Sequence, residues 1–158
     1  MWRFVWIAIA VLVFDQLTKF LAADYLMQHG EIHLMPVLNL VLVHNTGAAF
    51  GFLSSAGGWQ NIFFIIVAVA ACVFILWMSW RLEGKDKLLA IALMLVLGGA
   101  VGNLVDRLIH GYVIDFIDVY YGTWHWPAFN VADSAITIGA VLLLLDALNW
   151  PPGIKRRN

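Results

Sequence analysis

The sequence predicts an all-α membrane protein with four transmembrane helices, a small extended β segment on the outer side of the membrane, and loops. Hydrophobic residues make up 63% of the 158 residues and charged residues 12%, a balance far from that of soluble proteins. Four apolar stretches approach the roughly 20 residues that a helix needs to cross a bilayer. Basic and aromatic residues collect at the ends of these stretches. We therefore expect one integral membrane domain over residues 1–158.

The four predicted spans cover residues 4–22, 60–80, 88–107 and 131–150. The second span carries no charge, and the third carries none before Asp106. The first span contains Asp15 and Lys19, and the fourth contains Asp133 and Asp146. Because ionisable groups inside a membrane are costly, these four residues are candidates for function. Asp15 and Lys19 also argue that the first stretch is a retained span and not a cleaved secretory signal.

The basic residues orient the bundle. Seven of the nine Lys and Arg residues fall on one side of the four-span arrangement: Arg3, Arg81, Lys85, Lys87, Lys155, Arg156 and Arg157. Since Lys and Arg accumulate in short cytoplasmic segments, we expect both termini in the cytoplasm. Trp59, Trp124 and Trp126 then fall near the outer interface, where aromatic side chains gather. The long connections 23–60 and 108–130 are predicted to be loops on that outer side.

The composition excludes several classes of function. A net charge of -1 gives no basic surface for nucleic acid, so no nucleic-acid partner is expected. Cys72 is the only cysteine, which excludes an internal disulfide and a multi-cysteine metal site. Neither His29 with His33 nor His110 with His125 is accompanied by the further ligands that zinc requires. We therefore expect no metal and no cofactor.

Polar residues converge at the outer end of the predicted bundle. Five separate segments bring them there, and four of these carry carboxylates: Asp15, Lys19, Asn45, Asn103, Asp106, Arg107, Asp115, Asp118, Asn130 and Asp133. With a rise of about 1.5 Å per helical residue, Asp133 lies about 25 Å from the inner interface of a hydrocarbon core about 30 Å thick. Chemistry is therefore expected where the outer headgroups meet the acyl chains.

Several of these residues have a structural explanation. Asp15 and Lys19 are four residues apart on a helix and can neutralise each other, and Asp106 and Arg107 can find partners on other spans. For both pairs we favour structural support over chemistry. The three asparagines can satisfy backbone groups or hold the peptide backbone of a substrate, and the sequence leaves both roles open.

Asp115 and Asp133 differ because no cation is near either of them in sequence. An unpaired carboxylate at the edge of the hydrocarbon is costly, which favours a role in chemistry. The alternatives are a solvated loop position for Asp115 and a helix-capping role for Asp133.

Two backbone patterns complete the prediction. Gly98 and Gly102, with Gly99 between them, have the Gly-x-x-x-Gly spacing that lets helices approach closely, which favours packing over ligand contact. Pro36–Val43 is rich in Val and Leu and is bounded by turn formers, which predicts a short strand in a small outer sheet.

Five motifs occur in order along the chain: Asp15–Lys19, Asn45–Phe50, Gly98–Arg107, Val113–Phe116 and Phe129–Ser134. Together they resemble the lipoprotein signal peptidase family, the bacterial signal peptidase II. The resemblance implies an aspartyl endopeptidase of the bacterial inner membrane, with its active site towards the periplasm. Its implied substrate is a diacylglyceryl-modified prolipoprotein, cut on the amino side of the lipidated cysteine. A monomer in contact with membrane lipids is expected.

The resemblance also implies that Asp115 and Asp133 are the catalytic pair, and it leaves Asp118 outside the motifs as a solvated or structural group. The other motif residues are expected to bind substrate or support the site: Asp15, Lys19, Asn45, Gly47, Asn103, Asp106, Arg107 and Asn130. An aspartyl pair shares one proton and activates a water molecule. Which carboxyl holds the proton stays open.

Two other classes of function compete with a peptidase. A proton-coupled carrier needs carboxylates at several depths, whereas Asp146 alone lies in the inner halves of the spans. A lipid-binding scaffold would tolerate Asp115→Asn or Asp133→Asn, whereas a peptidase would not.

Overall fold

The structure, a computed structural model, describes residues 2–47, 58–81 and 86–148. These residues form four α-helices and one four-stranded antiparallel sheet. The elements in chain order are α1 Val5–His29, β1 Ile32–Met35, β2 Leu38–Asn45, α2 Trp59–Arg81, α3 Lys87–His110, β3 Val113–Tyr121, β4 Trp124–His125 and α4 Val131–Ala147, with a 3-10 turn at Trp2–Phe4 before α1. Residues 48–50 of the second motif, Lys85, the end of the fourth predicted span at 149–150 and the basic residues 155–157 lie outside the described residues.

Three of the helices, α1, α2 and α3, are long and apolar enough to cross a membrane. Helix α4 has 17 residues in the described part of the chain, and its sequence is strongly apolar after Asp133. The structure thus supports three of the four predicted spans by length and composition. The fourth span stays a prediction.

Helix α3 is the centre of the bundle, because α1, α2 and α4 all pack against it. Its glycines make the close contacts possible. A Cβ atom on Gly98 would lie 2.7 Å from the carbonyl oxygen of Ala8 in α1, and one on Gly99 would collide with the carbonyl oxygen of Ala132 in α4. The structure therefore confirms the packing role predicted for the Gly-x-x-x-Gly segment.

Helices α1 and α3 both extend beyond the predicted spans, α1 to His29 and α3 to His110. Helix α1 continues seven residues past the predicted end at residue 22, and it stops where Gly30 adopts a φ of 74°. Hydropathy sets the membrane limit of a helix, but a left-handed glycine sets its true end. Helix α3 begins at an N-cap, since the side chain of Asp86 accepts hydrogen bonds from the backbone N–H groups of Leu88 and Leu89.

The sheet is larger than the sequence predicted. Strand β2 matches the predicted strand at Pro36–Val43 but runs two residues further, to Asn45. The connection 108–130, predicted to be a loop, instead contains β3 and β4, so the fold is mostly helical with a small antiparallel sheet. Residues 113–121 are β-branched or aromatic except for two aspartates, which explains the strand. The sheet order is β1-β2-β3-β4.

Candidate active site

One network of hydrogen bonds and ion pairs joins all ten residues that the sequence predicted for the site: Asp15, Lys19, Asn45, Gly47, Asn103, Asp106, Arg107, Asp115, Asn130 and Asp133. The residues come from α1, α3, the start of α4 and the ends of two strands. The predicted convergence of polar groups at one end of the bundle is therefore confirmed.

Each of the two cavity carboxylates, Asp115 and Asp133, accepts one hydrogen bond on each of its oxygens. Asp115 accepts from the Nδ2 atoms of Asn130 at 2.7 Å and Asn45 at 2.8 Å. Asp133 accepts from Asn103 Nδ2 at 2.8 Å and from the backbone N–H of Asn130 at 3.2 Å. Asn130 thus contacts both carboxylates, which places them on neighbouring walls of one site.

The position of Asp133 follows from how α4 begins. Asn130 is the N-cap of α4, and Asp133 is its third residue in a reciprocal capping box. The Asp133 backbone N–H donates to Asn130 Oδ1 at 2.9 Å. The capping role that the sequence left open for Asp133 is therefore real, and the same carboxylate also lines the cavity.

Beneath the two cavity carboxylates lies a buried ion cluster of Asp15, Lys19 and Asp106, all at most 2% exposed. Lys19 Nζ lies 2.8 Å from Asp15 Oδ2 and 3.0 Å from Asp106 Oδ2, and it donates to Asn103 Oδ1 at 2.9 Å. The predicted Asp15–Lys19 pair is confirmed. The partner predicted for Asp106 on another span is Lys19.

The ion cluster also fixes the backbone next to each cavity carboxylate. Asp15 Oδ1 accepts from the backbone N–H of Ala132, one residue before Asp133, at 2.8 Å. Asp106 Oδ2 accepts from the backbone N–H of Ile114, one residue before Asp115, at 3.0 Å. The cluster therefore holds both carboxylate-bearing segments in place, as its predicted supporting role requires.

Gln16 and Gly102 contact the ion cluster, and the sequence indicated no role for Gln16. Gln16 Nε2 donates to Asp106 Oδ1 at 2.9 Å and to the carbonyl oxygen of Gly102 at 3.2 Å. A Cβ atom on Gly102 would lie 2.5 Å from Asp15 Oδ2. Gln16 lies inside the first motif, and this position is the feature of the sequence that could have indicated its role.

Arg107 is held by Gly47, a predicted site residue, and by two residues of α2 that the sequence did not indicate. Its Nη2 atom donates to the carbonyl oxygen of Gly47 at 3.1 Å, and its guanidinium lies 5.1 Å from the ring centroid of Phe64. The carbonyl oxygen of Arg107 accepts from Asn61 Nδ2 at 3.3 Å. Asn61 and Phe64 lie on α2, which carries no charge before its last residue, so nothing in its pattern marked them.

A cavity of about 530 Å³ opens beside the two carboxylates. Six predicted site residues line it, namely Asn45, Gly47, Asn103, Arg107, Asp115 and Asp133. The remaining lining residues were not predicted: Val113, Trp126, Pro127, Ala128, Phe129, Ser134, Ile136, Thr137 and Ile138. The cavity thus has a polar floor at the carboxylates and mostly apolar walls, which suits an extended peptide with an apolar attachment.

Burial first, and the negative charge of Asp133 second, raise the pKa of the Asp115 carboxyl from its usual range to about 7. Hydrogen bonds from Asn45 and Asn130 and the charge of Lys19 act in the opposite direction. Asp115 is 1% exposed, so the predicted alternative of a solvated loop residue is wrong. A carboxyl that keeps its proton near neutral pH can serve as a general acid.

Asp118 lies three residues from Asp115 on β3 and is also buried, at 6% exposure. It accepts hydrogen bonds from Asn39 and His125. Of the two interpretations offered for Asp118, the structure supports the structural one and contradicts the solvated one.

Comparison with known proteins gives consistent matches along the chain. The sequence profile of the family described as Signal peptidase (SPase) II matches residues 7–149. A lipoprotein signal peptidase of Paraburkholderia phymatum is 53% identical over 153 residues, covering 95% of this chain and 91% of that protein. One from Alteromonas mediterranea is 49% identical over 144 residues, covering 91% of this chain and 79% of that protein.

Two solved structures of bacterial membrane enzymes share the fold, each with a TM-score of 0.80. The first is 29% identical and covers 100% of this chain and 94% of that one, and the second is 31% identical and covers 95% of each. The fold, the cavity with its carboxylates and the sequence matches agree. This chain therefore belongs to the signal peptidase II family, and it is a membrane aspartic endopeptidase that removes signal peptides from prolipoproteins.

Proposed function

We propose that Asp115 and Asp133 are the catalytic pair of this peptidase. The observation that carries the proposal is that Asn130 hydrogen-bonds both carboxylates at the wall of one cavity. The negative charge of Asp133 raises the pKa of Asp115, so the two carboxyls interact and share one proton instead of both ionising. The pair then binds a water molecule between its two carboxyl groups.

The surroundings of the two carboxyls divide their roles. Asp133 lies in the first turn of α4, where the helix dipole favours negative charge, and it accepts the capping N–H of Asn130. Asp115 lies on a strand, and burial together with the charge of Asp133 raises its pKa to about 7. Asp133 is therefore the base that activates the water. Asp115 holds the proton at rest and donates it to the carbonyl oxygen of the scissile bond.

The remaining site residues orient the substrate and support the pair. Arg107 and Gly47 line the cavity, where they can hold the peptide backbone next to the scissile bond. The asparagines hold the carboxylates at hydrogen-bond distance. The ion cluster of Asp15, Lys19 and Asp106 does not line the described cavity, so its role is to fix the backbone of the catalytic segments.

The substrate carries a diacylglyceryl group and is cut on the amino side of the lipidated cysteine. A substrate anchored by acyl chains presents its cleavage point at the surface of one leaflet, which is the depth of the two carboxylates. The apolar residues Ile136 and Ile138 line the cavity, which suits a substrate that carries acyl chains. We propose that the site formed by the described residues uses no metal or other cofactor.

The chain forms a single integral membrane domain over residues 1–158, with four spans and both termini in the cytoplasm. This orientation is supported by Trp77, Trp80 and Arg81, which lie at the end of α2 away from the carboxylates, as expected for a cytoplasmic end. The protein resides in the bacterial inner membrane, acts as a monomer among lipids and has no nucleic-acid partner.

The test uses purified protein in detergent with a precursor that carries or lacks its diacylglyceryl group. Wild type should cut the lipidated precursor only, directly before the lipidated cysteine. Asp115→Asn and Asp133→Asn should each abolish cleavage, whereas Asp24→Asn, which alters an exposed carboxylate on α1, should not. Cleavage that persists in either site variant would refute the assignment of the pair.

A further inference from the structure

A second polar cluster lies on the sheet and belongs to none of the five motifs. It is a row of four side chains, one on each strand: His33, Asn39, Asp118 and His125. The strand register aligns the row, because Asn39 pairs with His33 on one side and with Asp118 on the other. The row ends at His125 on β4.

In each hydrogen bond of this row, the acceptor is Asp118 or the residue that lies nearer to Asp118. Asn39 Nδ2 donates to Asp118 Oδ2 at 2.9 Å, which leaves Asn39 Oδ1 to accept from His33 Nδ1–H at 2.8 Å. His125 Nδ1 lies 2.9 Å from Asp118 Oδ1 and donates to it. Asn39 and Asp118 are buried, whereas the side chain of His125 is 52% exposed. His33 at the other end is exposed as well, so the buried centre of the row, Asn39 and Asp118, is the part that holds the two histidines.

The residues directly after His125 line the cavity. This segment, Trp126–Phe129, forms the cavity wall next to β4. Its two ends are tied to β3, because the Trp126 N–H donates to the Val119 carbonyl at 2.8 Å and the Ile117 N–H donates to the Phe129 carbonyl at 2.9 Å. Strand β4 has only two residues, and so short a strand needs side-chain contacts to stay in place.

We propose that Asp118 and His125 are positioning residues that hold the cavity wall against the substrate peptide. The side chains of Asp118 and Asp115 lie on opposite faces of β3, because successive strand residues alternate and these two are three positions apart. Asp118 does not line the described cavity, so it acts through His125. The inference rests on the proposed function of the cavity as the site where the peptide is cut.

A displaced wall weakens the fit of the substrate and leaves the two carboxylates untouched. His125→Ala should therefore raise KM for the lipidated precursor by about three- to tenfold, the effect of losing one ordinary hydrogen bond at a side chain that is half exposed. It should leave kcat within about twofold of wild type, because the pair and its asparagines do not contact His125. His125→Asn, whose Nδ2 can take the place of Nδ1–H, should restore KM.

The control is His29→Ala, which alters an exposed histidine on α1 that bonds only to its own helix among the described residues. It should leave KM and kcat unchanged. An unchanged KM in His125→Ala would overturn the proposal. A loss of kcat with reduced thermal stability that His125→Asn does not restore would also overturn it. Persistent cleavage in Asp115→Asn, assayed alongside, would instead refute the catalytic assignment.

Discussion

Lys19→Met tests the buried ion cluster most directly. Lys19 Nζ is the shared partner of Asp15 at 2.8 Å and Asp106 at 3.0 Å, and all three side chains are almost completely buried. Methionine keeps most of the length of the lysine stem but removes its charge. The substitution therefore leaves two carboxylates buried next to each other with no cation between them.

The expected loss of stability is large. Removing one partner of a buried ion pair costs about 3–5 kcal/mol, because the remaining charge is stranded away from water. Asn103 loses a hydrogen-bond donor as well, worth about 1 kcal/mol. One of the two carboxyls can relieve the repulsion by taking up a proton, so the destabilisation should shrink as the pH is lowered.

The assay is equilibrium unfolding of the purified protein by a denaturing detergent, followed through its helical circular dichroism. A second variant, Lys19→Met with Asp15→Asn, restores the net charge of the cluster and should recover part of the lost stability. A single variant as stable as wild type would refute the reasoning. So would a double variant that is less stable than the single one, because charge would then not be the cause.

Three further predictions follow from the same contacts. The pKa of Asp115 is raised to about 7, so kcat/KM should fall as the pH rises above about 7 and the shared proton is lost, and a kcat/KM profile that is flat from pH 6 to 9 would contradict this. Because the folded-state pKa lies above the value of about 4 for an unfolded Asp, the same carboxyl should lower the free energy of unfolding as the pH rises from about 4 to about 7, and an unfolding midpoint that is constant over that range would contradict it. Gly102→Ala should reduce stability and cleavage together, because its Cβ would lie 2.5 Å from Asp15 Oδ2, and an unchanged unfolding midpoint would contradict that. Phe64→Ala should lower kcat/KM by about three- to tenfold through loss of the contact with Arg107, whereas the neighbouring Phe63→Ala should not.

The membrane helices and the polar end of the bundle were predictable because both depend on local sequence. Apolar runs mark spans regardless of their partners, and a charge inside such a run is costly enough to indicate a role. The glycine spacing on α3 predicted close packing for the same reason. What hydropathy could not give was the end of α1, which depends on the left-handed conformation of Gly30.

Strand β3 was missed although its composition favours a strand. Asp115 and Asp118 are poor strand formers, and only the network that buries them makes their positions favourable. The contacts of Phe64 could not have been predicted at all. They depend on which face of the uncharged helix α2 meets Arg107, and that is decided by packing between elements distant in sequence.

The orientation of the asparagine amides is fixed by groups that can only donate. Lys19 has no acceptor, so Asn103 must turn Oδ1 towards it, which directs Nδ2 to Asp133. The backbone N–H of Asp133 likewise holds Asn130 Oδ1, which directs Nδ2 of that residue to Asp115. Lys19 therefore acts on the cavity through a chain of amides without lining it.

Asn45 obeys the same rule from the other side of the cavity. The backbone N–H of Gly47 donates to Asn45 Oδ1 at 3.0 Å, and Asn45 Nδ2 then donates to Asp115 at 2.8 Å. Every side-chain amide that contacts the pair thus presents its donor before any substrate arrives, so no reorganisation is needed to stabilise the ionised partner. Asn45→Asp would replace this donor with a third negative charge. An amide at another position would not hold its Nδ2 at the same place next to Asp115. The proposed catalytic arrangement is therefore already formed in the folded protein, and binding of the substrate has only to deliver the scissile bond to it.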